Sequence, residues 1–156
     1  MSVILPGSYD PITLGHLEIV FEALKRENEV FVVAFVNENK KYRFSKEERV
    51  DMLKLALEGL PGVHVGYSAG RVVDFMRENG IDRIIKGYRT EADLPWEEHQ
   101  ARYNLEHGGY ETELIKCKDE FAHISSTLVR ERLSMGEDIS DLVPPRVAEY
   151  INNLRS

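Results

Sequence analysis

Short, continuously apolar runs alternate along this chain with longer stretches in which apolar residues recur every three or four positions. The second spacing is that of a helix burying one face. Residues 3–5, 30–36, 63–67, 83–85 and 113–117 read as five strands. The second of these, V-F-V-V-A-F-V, shows no polar alternation, which marks a strand covered on both faces of a parallel sheet. Residues 17–24 place Ile19, Val20, Ala23 and Leu24 on one helical face. Ser45-Lys46-Glu47-Glu48 is a capping box with Ser45 as N-cap and Glu48 three residues on. Its helix should run to about Leu57, before Gly59 and Pro61 stop it. Further helices are expected over residues 71–78, 93–106, 125–135 and 145–154, the first three closed by Gly80, Gly108-Gly109 and Gly136.

Strands separated by helices predict an α/β chain: a Rossmann-like, doubly wound sandwich around a five-stranded parallel sheet with right-handed crossovers. With 156 residues, one domain over 1–156 is expected, large enough for a core without staples. In such sheets ligands bind beyond the carboxyl ends of the strands, where the strand order reverses.

Composition narrows the partners. No run approaches about 18 apolar residues, so no membrane span is expected. No basic region followed by an apolar stretch opens the chain, so no secretory signal is expected either. Cys117 is the single cysteine; it fits a reducing cytoplasm and reads as a small core residue. The net charge of −7 argues against nucleic acid as a partner. An anionic substrate would therefore need a local basic cluster.

Such a cluster is available. The first strand leads through Pro6-Gly7-Ser8-Tyr9-Asp10-Pro11-Ile12 to Thr13-Leu14-Gly15-His16. This puts a histidine, a hydroxyl and a run of free backbone N–H groups at one helix start, where phosphate binds easily. A protonated or donor imidazole at His16 could steady charge growing on a transferring phosphate. Gly15 leaves no side chain between His16 and a nucleotide, and Gly7 allows close backbone approach. The second strand ends before Lys40, and the fourth before Lys86-Gly87-Tyr88-Arg89. Lys86 offers a point charge and Arg89 a fork for phosphate oxygens. Ser125-Ser126-Thr127 opens a late helix with three hydroxyls, where ordinary capping needs one. Arg130 reads equally as a phosphate contact or as a partner of Glu131 or another neighbour. The chain contains no G-x-x-x-x-G-K-[ST], no G-x-G-x-x-G after the first strand and no G-x-S-x-G. His64, His99, His107 and His123 show no metal-ligand spacing with Cys117.

Gly7–His16 and Ile124-Ser125-Ser126-Thr127-Leu128-Val129-Arg130 resemble the two signatures of the nucleotidyltransferase superfamily. Within it, the chain is similar to the bacterial phosphopantetheine adenylyltransferases. Lys40-Lys41, Phe44-Ser45 with Glu47-Glu48-Arg49, and Lys86–Arg89 with Asp93 and Trp96-Glu97 strengthen that likeness. The resemblance implies transfer of AMP from ATP to 4′-phosphopantetheine, with Mg²⁺, giving dephospho-coenzyme A and pyrophosphate. It assigns catalysis to His16, Lys40 and Arg89. Ser8, Tyr9, His16, Gly87, Tyr88, Arg89, Glu97, Phe121, Ala122, His123, Ile124, Ser125, Ser126 and Thr127 would hold ATP. Ser8, Lys40, Val72 and Lys86 would hold phosphopantetheine. It also implies a cytoplasmic homohexamer and feedback by coenzyme A.

Several positions depart from the family's pattern. Lys86 stands for Arg, Trp96 (beside Pro95) for Tyr, Phe121 for Trp and His123 for an aromatic residue, and residues 102–111 diverge most. Two other readings remain open at this point. One is a relative using another acceptor, such as nicotinate mononucleotide or a polyol phosphate. The other is a non-catalytic nucleotide-binding regulator, which would have no need of His16 or the basic cluster.

Overall fold

In a computed structural model that describes residues 1–154, strand and helix alternate as the apolar pattern predicts. The order is β1 (Ser2–Gly7), α1 (Leu14–Arg26), β2 (Glu29–Phe35), α2 (Lys46–Leu57), β3 (Val63–Ser68) and α3 (Val72–Asn79). It continues with β4 (Arg83–Tyr88), α4 (Leu94–Gly108), β5 (Thr112–Lys116), α5 (Ser126–Ser134) and α6 (Pro145–Leu154). Short 3₁₀ turns at Glu91–Asp93 and Asp119–Phe121 lead into α4 and toward α5. The five strands pair in the order β3-β2-β1-β4-β5, all parallel, so the Rossmann-like fold expected from the sequence is the one observed.

Alternate residues of the central strands feed two cores, as strand geometry requires. Val3, Leu5, Val30, Val32 and Ile85 pack with Ile19, Val20, Met52, Leu53, Val129, Leu133, Val147 and Ile151 from α1, α2, α5 and α6. Ile4, Val33 and Ile84 face the other way, onto Met76, Ile81 and Phe75 around α3. α4 lies on that second side and contributes no buried residue.

Two boundaries differ in ways that bear on the site. The first helix begins at Leu14 rather than residue 17, because Thr13 caps it and a glycine in the first turn is tolerated. The fourth strand runs to Tyr88 rather than residue 85, because Lys86, Gly87 and Tyr88 keep pairing with Leu114, Ile115 and Lys116 of β5. Lys86 and Gly87 are thus strand residues and not part of a following loop. Gly87 is required there: a Cβ would lie 2.6 Å from Ile19 Cγ1, where α1 crosses the strand.

Candidate active site

The sheet opens a crevice where its order reverses. β1 and β2 pair over six residues, but β1 and β4 pair only at Val3–Arg83 and Ile4–Ile84. Beyond Ile4 and Ile84 the two strands part, and Lys86 reaches across the gap to within 3.4 Å of the Pro6 carbonyl. A cleft of about 440 Å³ occupies this split, bounded by the β1–α1 turn, β4 with the residues after it, and the start of α5. A second, wider cavity of about 1040 Å³ shares Pro6, Gly7, Ser8, Lys40, Lys86, Trp96 and Glu97 with the first. It extends along α4 to Val72 and Tyr103.

His16 stands at the base of the first cleft, three residues into α1. Thr13 caps the helix: its Oγ1 accepts from the His16 N–H at 3.3 Å, while the Thr13 N–H donates to His16 Nδ1 at 3.0 Å. A backbone N–H is always a donor, so Nδ1 is an acceptor and the ring proton sits on Nε2. The ring is also wedged edge-on against Tyr9, with centroids 5.0 Å apart. Burial, followed by the nearby charges of Lys86 and Arg89, lowers the His16 pKa from its ordinary 6.5 to about 4. The protonated imidazole that the sequence leaves open is therefore excluded near neutral pH. His16 is a neutral ring presenting one N–H donor.

The helix start is less open than expected. The Leu14 N–H is taken by the Leu142 carbonyl at 2.9 Å, and the His16 N–H by Thr13. At Gly15 a Cβ would meet only ordinary contacts, the nearest at 3.6 Å. The protein's own packing does not require glycine there.

The turn before α1 is anchored from several sides. Tyr9 adopts a left-handed backbone with φ of 48°, uncommon for a bulky residue. Its hydroxyl is buried and donates to the Leu5 carbonyl at 2.7 Å, with burial pushing its pKa up. The phenol hydroxyl is thus tied inward and the ring supports His16, while Tyr9 remains among the residues that line the cleft. Asp10 is buried, and its carboxylate accepts the Arg43 and Phe44 N–H groups at 2.9 and 3.0 Å. Arg130 donates to the Asp10 carbonyl at 2.7 Å and to Thr127 Oγ1 at 3.1 Å. Its neighbour is Asp10, not Glu131.

Each hydroxyl of the late helix already has a protein partner. Ser125 caps α5 by accepting from the Leu128 N–H, and Ser126 donates to the Pro11 carbonyl at 2.7 Å. Thr127 accepts from Arg130 and keeps its own proton available. Ile124, Ser125, Ser126 and Thr127 line the cleft, as do Gly87, Tyr88, Arg89 and Glu97. Phe121, Ala122 and His123 do not. Phe121 and Ala122 pack against the core, and His123 is exposed.

The cations converge as the sequence suggests. Lys40 reaches Ser8 Oγ at 3.3 Å from the second-strand side. Lys86 lies between Pro6 and Glu97, whose carboxylate is 3.6 Å from its ammonium. At that distance the pair is ionic rather than hydrogen-bonded, and Glu97 Oε2 is buried without a hydrogen-bond donor. Arg89 is held more loosely, 4.0 Å from Asp93, whose carboxylate also accepts the Arg89 and Thr90 N–H groups. Val72 lies in the wider cavity with Lys40 and Lys86.

Sequence reasoning gave Arg49 no role of its own, although it is only 1% exposed and donates to the Ser8 carbonyl at 2.9 Å. One signal was present. Arg49 shares a helical face with Met52, Leu53 and Leu57, all of them buried. A charge on an apolar stripe marks a position with a task.

A protein-built metal cage does not fit this cleft. Among the described residues no three His, Cys, Asp or Glu side chains come together to hold an ion.

Similarity to known proteins agrees with this geometry. Residues 4–132 match the cytidylyltransferase-like family. A phosphopantetheine adenylyltransferase of Arthrobacter sp. (strain FB24) is 38% identical over 149 residues, covering 95% of this chain and 94% of its own. The phosphopantetheine adenylyltransferase of Corynebacterium diphtheriae gives the same identity and coverage.

Proposed function

The chain belongs to the cytidylyltransferase-like family and, within it, to the phosphopantetheine adenylyltransferases, and from that premise we propose how its cleft works. The enzyme transfers the adenylyl group of ATP to 4′-phosphopantetheine, forming dephospho-coenzyme A and pyrophosphate. A phosphate oxygen of the acceptor bonds to the α-phosphorus while the bond to the β-phosphate oxygen breaks in line. Pyrophosphate leaves with that electron pair, and no covalent enzyme intermediate forms. Such a reaction needs placement and charge neutralisation more than a protein nucleophile.

The neutral His16 donates its Nε2–H to an oxygen of the α-phosphate, where charge grows as the two phosphates meet. Arg89, just beyond the end of β4, faces the ATP phosphates, with Ser125, Ser126 and Thr127 across the cleft. Lys40, Ser8 and Lys86 hold the acceptor phosphate, and the wider cavity past Val72 takes its flexible arm. Mg²⁺ would enter with ATP and supply charge neutralisation at its phosphates beside Arg89. Cytoplasmic location, a homohexamer and feedback by coenzyme A follow as further parts of the same reading. Among the described residues no helix is long and apolar enough to cross a membrane.

The single observation that supports this best is the split between β1 and β4, which brings His16, Lys86 and Arg89 around one space. The test offers the purified protein ATP or CTP with 4′-phosphopantetheine or nicotinate mononucleotide and follows pyrophosphate release. Release is expected only with ATP and phosphopantetheine; release with nicotinate mononucleotide alone would overturn the acceptor.

A further inference from the structure

Arg49 is a permanently charged side chain inside the core, and its neighbours identify a second layer of the acceptor site. Among the described residues no carboxylate pairs with it. Its Nη1 donates to the Ser8 carbonyl, its Nε finds no acceptor, and its guanidinium carbon lies 3.9 Å from the centre of the Tyr42 ring. A buried charge without a counter-ion is tolerated only where fixed dipoles or π-faces replace its water. Here one carbonyl and one aromatic face do so, and both are thereby held in place.

The same ring meets a second cation. The Lys40 ammonium lies over Tyr42, 5.5 Å from its centre, and reaches Ser8 Oγ from there. Tyr42 is anchored at its far end as well, since its hydroxyl accepts the Asn37 N–H at 2.9 Å. Asn37 closes the turn that carries Lys40, accepting the Lys40 N–H at 3.0 Å. Arg49 thus holds Ser8 by its carbonyl, and Tyr42 guides Lys40 toward the hydroxyl of that same Ser8. Lys40 is exposed on a flexible four-carbon stem, so it would otherwise sample many rotamers that binding must restrict.

We propose that Tyr42, clamped by Arg49, is a positioning residue that pre-sets Lys40 and Ser8 for the phosphate of the acceptor. The proposal rests on the reading of Lys40 and Ser8 as the acceptor's phosphate contacts. Tyr42 touches no reacting atom; it acts through Lys40. Its loss should weaken acceptor binding and leave ATP binding alone.

The experiment is a double-mutant cycle on the purified enzyme with ATP and 4′-phosphopantetheine. Wild-type turnover comes first, because no pyrophosphate release at that stage would sink the assigned reaction and not the role of Tyr42. With turnover in hand, Tyr42→Met should raise the acceptor KM about tenfold and change the ATP KM by less than about twofold. Tyr42→Phe keeps the ring face and should stay within about twofold of wild type for both substrates. In a Lys40→Met background, Tyr42→Met should add less than about twofold to the acceptor KM. An unchanged acceptor KM in Tyr42→Met overturns the proposal, and so does an equal penalty with and without Lys40. If Tyr42→Met does not fold, Tyr42→Leu takes its place in the same cycle.

Discussion

The two walls of the site are built to different standards. Around His16, short hydrogen bonds join the β1–α1 turn to its neighbours: Thr13 to His16, Tyr9 to Leu5, Ser126 to Pro11, Arg130 to Asp10. On the other side, Trp96 is 61% exposed, α4 buries no residue, and the Tyr103 hydroxyl meets Arg71 at a long 3.4 Å. In the proposed reading the first wall is where charge develops, and a small displacement there would cost rate steeply. In the same reading the second wall would receive a flexible substrate arm and can tolerate looser packing. The departures from the family's pattern follow this division in part, since Lys86, Trp96 and residues 102–111 belong to the acceptor side.

This contrast makes graded predictions. His16→Ala should lower kcat by about a thousandfold while KM values change little, because the Nε2–H acts mainly in the transition state. A kcat within tenfold of wild type would remove His16 from the chemistry and break the contrast at its centre. Asp10→Ala should cost about 3 kcal/mol in urea unfolding, because it strands two backbone N–H groups below the turn. A loss below about 0.5 kcal/mol would mean the tightly bonded wall is not held by this carboxylate.

Glu97→Gln addresses the looser wall. Removing the anion beside Lys86 should lower the acceptor KM about threefold. An ATP KM that rises as well would keep Glu97 among the ATP contacts the resemblance implies, and an unchanged one would assign it to the acceptor alone. A further prediction concerns pH. His16 stays neutral in the fold down to about 4, whereas the unfolded chain protonates it near 6.5. The unfolded state therefore binds more protons in between, so this group lowers stability as pH falls through that window and contributes nothing above it. NMR titration of the ligand-free protein should place the His16 midpoint near 4, and Lys86→Met should move it upward. A midpoint near 6.5 would show that the ring is not desolvated.

Much of this was legible in the residues. The continuous apolar run of the second strand and the capping box at Ser45 placed β2 and α2 within a residue or two. His16, Lys40, Lys86 and Arg89 were recognisable because each follows or ends an apolar strand, where the topology gathers ligands. Phe121, Ala122 and His123 lie outside the residues that line the cleft, and a short turn carries no signal of which side faces it. Asp10 looked like an ordinary turn residue before a proline; only its contact with the segment more than thirty residues away shows its structural role.

By itself the sequence determined the order and type of the elements, the all-parallel sheet and the set of cations at its edge, because these follow from local periodicity and connection rules. Tertiary structure alone decided three things. It parted β1 from β4 after Ile4 and Ile84. It chose the neutral imidazole with its proton on Nε2, since the charge state of a histidine depends on burial and on neighbours distant in sequence. It also put Arg49 under Tyr42 and Ser8, a contact between chain segments that no local pattern encodes.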